Sequence, residues 1–444
     1  MGGLSFTCHP ARTSLANGRG GSTRPGRFSN LRSIKEHFPV TTPLNIPKSV
    51  TVKAGHVQPL WAGHPWVFRQ ALAGVDDGIM AGDEVIVLDP HGKILGRGLY
   101  SSSSAIAVRM FSLEGTVALD EAFIRAAIER AASLRRAHGL PNERPGEQTT
   151  GYRLVNGEGD GLPGLVVDVF GETLVVQLGT AGLKRLEGAI ADALTEVMGP
   201  RAIIDRTSPQ IAQLEGFTLG DAAVRMVRGE IPDALRFMER GFRFELPLEL
   251  GQKTGYYFDQ RPLRDRIEAL SRGSRVLDAC CYVGGISLAA KRGGAREVWG
   301  VDTSVPAIEV AKATAALNEL EIHFEATDSA RAFQKAAADG GWDVVICDPP
   351  KLARKRRHKQ KAGGGYRKLA ASAAAATAPG GILAFCSCSA AVTEELLQRH
   401  LALGARDAGR RAVIVDRCFQ GPDHPVLAAF PEGLYLTVLL ARIY

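Results

Sequence analysis

Two chemically reactive side chains follow apolar runs that the sequence predicts to be buried strands. Asp348 ends the run 342–347 and is followed by two prolines, which cannot continue a strand ladder or a helix. Cys388 follows a second apolar run, 381–385. Ligands of α/β sheets bind outside the carboxyl ends of the strands. The pair therefore suggests a nucleobase that is held by the loop of Asp348 and attacked by the thiol of Cys388.

A second group of residues has the pattern of a nucleoside cofactor site. A predicted strand that contains Asp278 leads into a glycine turn and a helix start with Tyr282, Gly284 and Gly285. Such a turn lets the backbone approach a ligand, and a helix N-terminus favours an anionic group. The turn does not read G-x-G-x-x-G, which disfavours a pyrophosphate site.

Two more carboxylates end or follow the next predicted strands. Asp302 ends the second strand, where a carboxylate can accept from both hydroxyls of a ribose. Asp328 follows the third strand and is placed for an adenine amino group or a nearby polar contact. This ordered set favours S-adenosylmethionine over a dinucleotide. We expect Phe258, Gln260 and Asp348 to contribute to the same cofactor site.

The alternation of predicted elements sets the fold class. Residues 48–117 contain short strands broken by glycine and proline, which is typical of a small β-barrel. Residues 118–245 read as a central mixed α/β domain. From 246 to 444 strands and helices alternate, which predicts an α/β, Rossmann-like domain with a doubly wound, mostly parallel sheet. Its hairpin-like ending predicts an additional antiparallel edge strand.

Composition restricts the class of protein. The 444 residues predict about three domains, and no run approaches the roughly 18 apolar residues of a membrane span. The net charge of +7 and the pI of about 9.1 favour an anionic partner. The seven cysteines lack regular spacing, which argues against a disulfide framework and indicates a reducing compartment. Cys386 and Cys388 form C-x-C without a flanking histidine, so we expect no metal.

Residues 1–47 differ from the rest of the chain. They are rich in arginine and serine, with Glu36 as their acidic residue. An acid-poor leader without an apolar segment is typical of an organelle transit peptide rather than a secretory signal. We predict an organellar protein, with the plastid favoured over the mitochondrion. The alternative is an ordinary disordered tail, which would leave the protein in the cytoplasm.

Several longer motifs occur in one order along the chain. They are His64-Pro65-Trp66-Val67-Phe68, Asp160-Gly161-Leu162-Pro163-Gly164-Leu165, the run 253–261, Asp423-His424-Pro425-Val426 and the run 430–436. Through these motifs residues 50–444 resemble the bacterial large-subunit rRNA cytosine-C5 methyltransferases that carry an N-terminal PUA domain. The chain departs from the family pattern at Cys280, Cys281 and Val283, where the family usually has Phe, Ser and Thr. It departs again after Tyr366, where the family tends to carry an aspartate.

The resemblance implies an S-adenosylmethionine-dependent enzyme that forms 5-methylcytosine. Cytosine C5 is a poor nucleophile, but a thiolate that adds to C6 makes C5 able to take a methyl group. A base then removes the C5 proton and the thiol leaves; the thiolate is the attacking form, although an ordinary thiol has a pKa of about 8.5. Resemblance and position assign the nucleophile to Cys388. Cys386 is its main rival, although we interpret it, like Cys347, as a small core residue. Asp348 would accept from the cytosine amino group, or donate to N3 if protonated.

The implied partner is RNA, most simply large-subunit rRNA. A basic segment beside the predicted active edge offers phosphate contacts from Lys351, Lys355, Arg356, Arg357 and Lys359. We favour this interpretation over a solvated loop. Trp66 of the barrel is a candidate for base stacking, with core packing as the alternative. The oligomeric state is open, with a homodimer as one option.

Two other functions stay open. Exocyclic-amine methylation, for instance at guanine N2, would use the same Asp-Pro-Pro loop and would need no cysteine. A non-catalytic RNA-binding assembly factor would keep the fold without the activity.

Overall fold

The computed structural model describes residues 48–250, 254–350 and 359–444, with side chains in the last range from residue 364 onward. The predicted leader at 1–47 lies outside the described residues. So do four of the predicted RNA-binding residues and the side chain of the fifth, which are Lys351, Lys355, Arg356, Arg357 and Lys359.

The N-terminal domain is built from six short strands and one short helix. They are β1 (Ser49–Val52), α1 (Val57–Trp61), β2 (Trp66–Phe68), β3 (Leu72–Val75), β4 (Glu84–Leu88), β5 (Ile94–Tyr100) and β6 (Ile106–Ser112). The strands form one sheet in the order β2-β6-β5-β4-β1-β3. Val85 and Val87 of β4 are fully buried whereas their neighbours are half-buried, which is the alternation of a strand with one core face. The predicted β-rich domain is confirmed.

The central domain has five strands and four helices. They are α2 (Glu121–Ala137), β7 (Gly151–Asn156), β8 (Leu165–Phe170), β9 (Thr173–Leu178), α3 (Ala181–Arg185), α4 (Glu187–Met198), β10 (Ala202–Asp205), α5 (Pro209–Glu215) and β11 (Arg225–Gly229). The sheet order is β11-β10-β9-β8-β7. The side chain of Asp120 caps α2 by accepting from the amide of Phe123, as expected for a helix N-cap.

A β-hairpin joins the central domain to the C-terminal domain. Its strands are β12 (Ala234–Glu239) and β13 (Phe242–Pro247). The inner faces carry Phe237 and Phe244, whose rings stack with centroids 4.9 Å apart. They share one apolar cluster with Phe170 of the central domain and Phe258 of the C-terminal domain. This cluster fixes the chain segment that leads into the C-terminal sheet.

The C-terminal domain is a seven-stranded sheet with helices on both faces. Its elements are α6 (Arg261–Leu270), β14 (Arg275–Ala279), α7 (Gly285–Arg292), β15 (Glu297–Asp302), α8 (Val305–Leu317), β16 (His323–Ala326), α9 (Ser329–Ala338), β17 (Trp342–Cys347), α10 (Lys359–Ala376), β18 (Thr377–Ser387), α11 (Glu394–Asp407), β19 (Ala412–Phe419) and β20 (Thr437–Ile443). Helices α9, α10 and α11 pack on one face, and α6, α7 and α8 pack on the other. The predicted doubly wound α/β architecture is confirmed.

The strand order places the ligand-binding crevice. The order is β16-β15-β14-β17-β18-β20-β19, with the first five strands parallel. The chain reverses its direction of winding between β14 and β17, and such a switch point opens a crevice at the carboxyl ends of the strands.

One topological prediction is wrong in its position. The antiparallel strand was expected at the sheet edge, but β20 lies inside the sheet, between β18 and β19. The reason is burial: residues 438–441 of β20 are buried apolar side chains, whereas β19 exposes Val415, Asp416 and Arg417. The more polar strand takes the edge. Among the described residues, no helix combines the length and the apolar character that a membrane span needs.

Candidate active site

The two predicted reacting side chains lie at the same edge of the sheet. Asp348 directly follows β17 and Cys388 directly follows β18, and these strands are parallel neighbours in which Cys347 is opposite Phe385. Both side chains are half-buried. The amide of Asp348 donates to the carbonyl of Ala279 at the end of β14, at 3.4 Å. The structure therefore brings the two groups together at the switch point, as the sequence predicted.

The residues next to Cys388 hold it in place. Ser387 is buried, and its hydroxyl lies 2.9 Å from the hydroxyl of Tyr366, a buried residue of α10. Ser389 on the other side is also buried. The half-buried thiol of Cys388 thus stands between two fixed neighbours. In the segment after Tyr366, where the family pattern is broken, Arg367 pairs with Asp407 in an exposed salt bridge, whereas Ala370 is buried in the core.

The rival cysteines are buried in the core. Cys386 has no exposed surface, and burial raises the pKa of its thiol well above the ordinary value. Cys347 is also buried, and burial raises the pKa of its thiol in the same direction. A thiol that stays protonated is a poor nucleophile. This arrangement supports the interpretation of Cys386 and Cys347 as core residues.

Tyr257 is a site residue that the sequence analysis did not single out. Burial raises the pKa of its phenol to about 12, and the charges of Asp348, Cys388 and Asp302 add to the shift. These contributions place the phenol within electrostatic reach of both predicted reacting groups and of the predicted ribose ligand. Its ring lies edge-on to that of Tyr282, with centroids 5.3 Å apart. The only sequence signal was its position inside the motif 253–261.

Gln260 contacts Asp348 directly. Its side-chain amide Nε2 donates to Asp348 Oδ2 at 2.7 Å. Gln260 is only 6% exposed, so this amide is held by its surroundings. Gln260 was expected in the cofactor site, and the structure pairs it with the residue that is expected to face the base.

A buried ionic cluster anchors the segment that presents Tyr257 and Gln260. Glu239 of β12 accepts from the hydroxyl of Tyr256 at 3.1 Å and from Arg261 Nε at 3.1 Å. It also accepts from Arg264 Nη2 at 2.8 Å. All four residues are at least nine-tenths buried. Buried ions are tolerated when they are paired in this way, and the cluster fixes both ends of the segment.

The predicted cofactor loop has an unusual backbone. Cys280, Tyr282 and Gly284 have φ angles of +68°, +51° and +80°, which are rare for residues with side chains. Asp302 stabilises this shape, because its Oδ2 accepts from the amide of Tyr282 at 3.1 Å. Its Oδ1 accepts from the amide of Ser304 at 2.9 Å. Asp302 thus joins the end of β15 to the loop after β14.

Asp278 lies beneath the predicted cofactor loop. Its side chain is completely buried beneath the loop, where Oδ2 accepts from the hydroxyl of Ser287 at 2.7 Å. Burial raises the pKa of its carboxyl to about 6, against the hydrogen bonds from Ser287. The structure thus gives Asp278 a supporting role, and a contact of Asp278 with the cofactor stays a prediction. Asp278 ties the end of β14 to α7 and supports the loop from below.

Gly284 and Gly285 of the loop are packed closely against other side chains of the protein. A Cβ added to Gly284 would lie 2.8 Å from Cζ of Phe324, and one added to Gly285 would lie 2.5 Å from the hydroxyl oxygen of Tyr256. Side chains of this protein therefore require glycine at both positions. An approach of the loop backbone to the cofactor at Gly284 and Gly285 stays a prediction.

Three other expected contacts have structural roles. Phe258 is buried in the aromatic cluster with Phe237, so its side chain is not available to a cofactor. Trp66 is also engaged: its Nε1 donates to Glu158 at 2.7 Å, and its ring packs edge-on against Phe430 at 4.5 Å. These contacts favour the core-packing alternative, and base stacking by Trp66 stays a prediction. Asp328 caps α9 by accepting from the amide of Arg331, and a contact of Asp328 with adenine stays a prediction.

The chemistry of the remaining groups fits S-adenosylmethionine. The carboxylate of Asp302 is half-buried and, beyond its two backbone donors, keeps lone pairs for ribose hydroxyls. Backbone groups of the loop 280–284 and the N-terminus of α7 offer donors for the carboxylate of a methionine moiety. Across the described residues, no group of three or more His, Cys, Asp or Glu side chains could hold a metal ion.

Comparison with known proteins defines the family. Residues 50–113 match a PUA-like domain, and residues 206–436 match an S-adenosylmethionine-dependent methyltransferase domain. The chain is 36% identical over 402 residues to the ribosomal RNA large subunit methyltransferase I of Klebsiella pneumoniae strain 342, covering 89% of this chain and 98% of that protein. It is also 36% identical over 391 residues to the protein of that name from Cronobacter sakazakii, covering 86% and 96%. The chain belongs to the ribosomal RNA large subunit methyltransferase I family.

The family assignment settles the class of enzyme and its cofactor. This member is an S-adenosylmethionine-dependent methyltransferase with a PUA-like N-terminal domain. A solved protein, SMU.776, described as a methyltransferase in complex with SAH, has the same fold with a TM-score of 0.75 at 19% identity. The match covers 89% of this chain and 99% of that one.

Proposed function

We propose that this enzyme methylates carbon 5 of a cytosine in large-subunit ribosomal RNA through a covalent bond to Cys388. The observation that carries the proposal is the shared edge of Asp348 and Cys388 at the switch point of the sheet. The name of the relatives indicates that the substrate is large-subunit ribosomal RNA. The half-buried thiol of Cys388 is the candidate nucleophile.

The residues of the site divide the work as follows. The thiolate of Cys388 adds to C6 of the base, which forms the Sγ–C6 bond and moves electron density to C5. Bound S-adenosylmethionine supplies the methyl group that C5 accepts. A base then takes the C5 proton, the Sγ–C6 bond breaks and the thiolate is restored. Asp348, held by Gln260, accepts from the amino group of the cytosine during these steps.

The phenol of Tyr257 is neutral beside the reacting groups. Burial raises its pKa to about 12, so it lies even further above neutral pH than that of an ordinary tyrosine. It therefore adds no negative charge beside Asp348 and the thiolate. Its ring is held edge-on against that of Tyr282.

Replacement of Cys388 by alanine tests the proposal. The enzyme is incubated with unmodified large-subunit rRNA and radiolabelled S-adenosylmethionine, and the product is mapped by bisulfite sequencing. We expect Cys388→Ala to abolish 5-methylcytosine while cofactor binding, measured by isothermal titration, is retained. The matched control is Cys386→Ala, which should keep the activity. Methylation of an exocyclic amine by Cys388→Ala would favour the guanine N2 alternative. If the wild-type protein does not bind the cofactor, a non-catalytic factor is favoured.

We also propose an organellar location, on the strength of the composition of residues 1–47. The relatives compared above are bacterial proteins. A fusion of residues 1–47 to a fluorescent protein should be imported by plastids. Retention of the fusion in the cytosol would contradict this proposal.

A further inference from the structure

Gln260 lies 88 positions before Asp348 in the chain, yet its amide donates a hydrogen bond to that carboxylate. The bond from Nε2 to Oδ2 is 2.7 Å long and nearly shielded from solvent, because Gln260 is 6% exposed. A donor in this position stabilises the ionised form of a carboxylate. An ionised carboxylate can only accept hydrogen bonds.

The other end of the Gln260 amide has no competing role. Its Oε1 is buried and has no hydrogen-bond partner among the described residues. A buried polar atom without a partner is costly, so the arrangement needs a reason. Because Oε1 is not held, the bond to Asp348 is what fixes the direction in which the amide points. The amide therefore presents N–H, and not oxygen, to the carboxylate.

The backbone next to Gln260 is anchored, which keeps the Gln260 amide directed at Asp348. Arg261, the next residue, donates to Glu239, to the carbonyl of Gly151 and to Asp423, the last two at 2.9 Å and 3.0 Å. The start of α6 is thus tied to the hairpin, to the central domain and to the C-terminal loop. Gln260 cannot easily move away from Asp348 when a substrate enters.

We infer that Gln260 is the positioning residue through which Asp348 selects an amino-bearing pyrimidine, cytosine, over the keto-bearing uracil. This inference rests on the proposed function and adds to it the residue that sets the choice of base. Cytosine presents an N4 amino donor where uracil presents the O4 acceptor. A carboxylate fixed as an acceptor bonds the first and repels the second.

The same geometry predicts how the preference can be reversed. In Asp348→Asn the Nε2 of Gln260 would bind the oxygen of the introduced amide, which turns the NH₂ group of that amide toward the base. The pocket would then donate where it previously accepted, and it should prefer uracil. In the double variant Asp348→Asn with Gln260→Leu, nothing fixes the introduced amide, and the preference should disappear.

Covalent trapping measures this preference directly. In a 5-fluoropyrimidine the C5 position carries fluorine in place of the proton that a base must remove, so the Sγ–C6 adduct persists after methyl transfer. Large-subunit rRNA transcripts that contain either 5-fluorocytidine or 5-fluorouridine are incubated with the full-length enzyme and S-adenosylmethionine. Protein–RNA adducts that survive denaturing gel electrophoresis are then quantified. Gln398→Glu, an exposed substitution on α11, serves as the matched control.

The expected results are ordered. The wild type and Gln398→Glu should trap 5-fluorocytidine RNA, and Gln260→Leu should lower this preference about 10-fold or more, as expected for loss of a hydrogen bond to a charged group. Asp348→Asn should trap 5-fluorouridine RNA, and the double variant should trap both equally. An unchanged preference in Gln260→Leu, or no gain of 5-fluorouridine trapping in Asp348→Asn, would overturn the inference. If the wild type traps neither RNA, the proposed function itself fails, which is a distinct result.

Discussion

Trp66 of the barrel donates from Nε1 to Glu158 of the central domain at 2.7 Å, and its ring packs against Phe430 of the C-terminal domain. Next to it, His64 Nε2 lies 3.5 Å from Glu432. Two of the sequence motifs, 64–68 and 430–436, therefore meet where the three domains join, and Glu158 lies just before a third motif, 160–165. Their shared position indicates that they fix the barrel relative to the catalytic edge.

Replacement of Trp66 by phenylalanine tests this domain junction. The ring stays but the N–H is lost, so Glu158 loses its donor while most of the packing is kept. We expect the KM for rRNA to rise several-fold and the affinity for S-adenosylmethionine to stay unchanged, as measured by steady-state kinetics and titration calorimetry. Glu158→Gln is the control, since its amide oxygen can still accept. An unaltered KM for rRNA in Trp66→Phe would show that the junction does not orient the barrel.

The buried carboxylate of Asp423 should be important for stability. It accepts from Arg261 Nη1 at 3.0 Å and lies 3.0 Å from Nδ1 of His424. Burial opposes its charge, yet Arg261 and His424 hold the pKa of this carboxyl well below its ordinary value. Asp423→Ala leaves Arg261 buried without this partner, which should lower the free energy of unfolding by about 3–5 kcal/mol in urea titration.

The control for that prediction is an exposed ion pair. Asp416 pairs with Arg266 at 2.9 Å, and both side chains are at least a third exposed. Asp416→Ala should change the free energy of unfolding by about 1 kcal/mol or less. Equal effects of the two substitutions would contradict the role assigned to burial.

The buried Asp278 should give stability a characteristic pH dependence. Burial raises the pKa of this carboxyl in the folded protein to about 6, above its ordinary value of 3.8. Between these two pH values the folded state binds more protons than the unfolded state, so this group makes the protein less stable as the pH rises from about 4 to 6. Asp278→Asn removes the titration. Thermal unfolding at a series of pH values should show the variant gaining stability relative to the wild type across this interval, and a constant difference would refute the assignment.

The close packing of the cofactor loop can be tested with one methyl group. A Cβ at Gly285 would lie 2.5 Å from the hydroxyl oxygen of Tyr256, whose hydrogen bond to Glu239 would be disturbed. Gly285→Ala should lower the free energy of unfolding by about 1–3 kcal/mol and weaken S-adenosylmethionine binding. Gly188→Ala in α4, where an added Cβ would meet nothing beyond its own helix within 4 Å, should be neutral or stabilising by up to about 1 kcal/mol. Similar losses in both variants would argue against a specific clash.

The sequence predicted those features that depend on local pattern. Asp348 and Cys388 could be placed at one sheet edge because each follows an apolar strand, and parallel strands end together. The same rule located Asp302 beside the loop after β14. These inferences needed only strand periodicity and the connection rules of α/β sheets.

The sequence could not show which polar groups meet across long distances. The bond from Gln260 to Asp348 joins residues 88 positions apart, and the cluster around Glu239 depends on how the hairpin packs on the C-terminal domain; no spacing along the chain encodes either of them. The sequence also could not show which polar or aromatic side chains are buried. Asp278 and Phe258 carry the residue types of a binding site, but the structure uses both for support inside the core.

The most direct test of the account is the site of the covalent adduct. After trapping with 5-fluorocytidine rRNA and S-adenosylmethionine, the protein is digested and the nucleotide-bearing peptide is sequenced by mass spectrometry. The account predicts that the modified residue is Cys388, that Cys386 is unmodified and that Cys388→Ala gives no adduct. An adduct on Cys386, or 5-methylcytosine formed at the normal rate by Cys388→Ala, would contradict it.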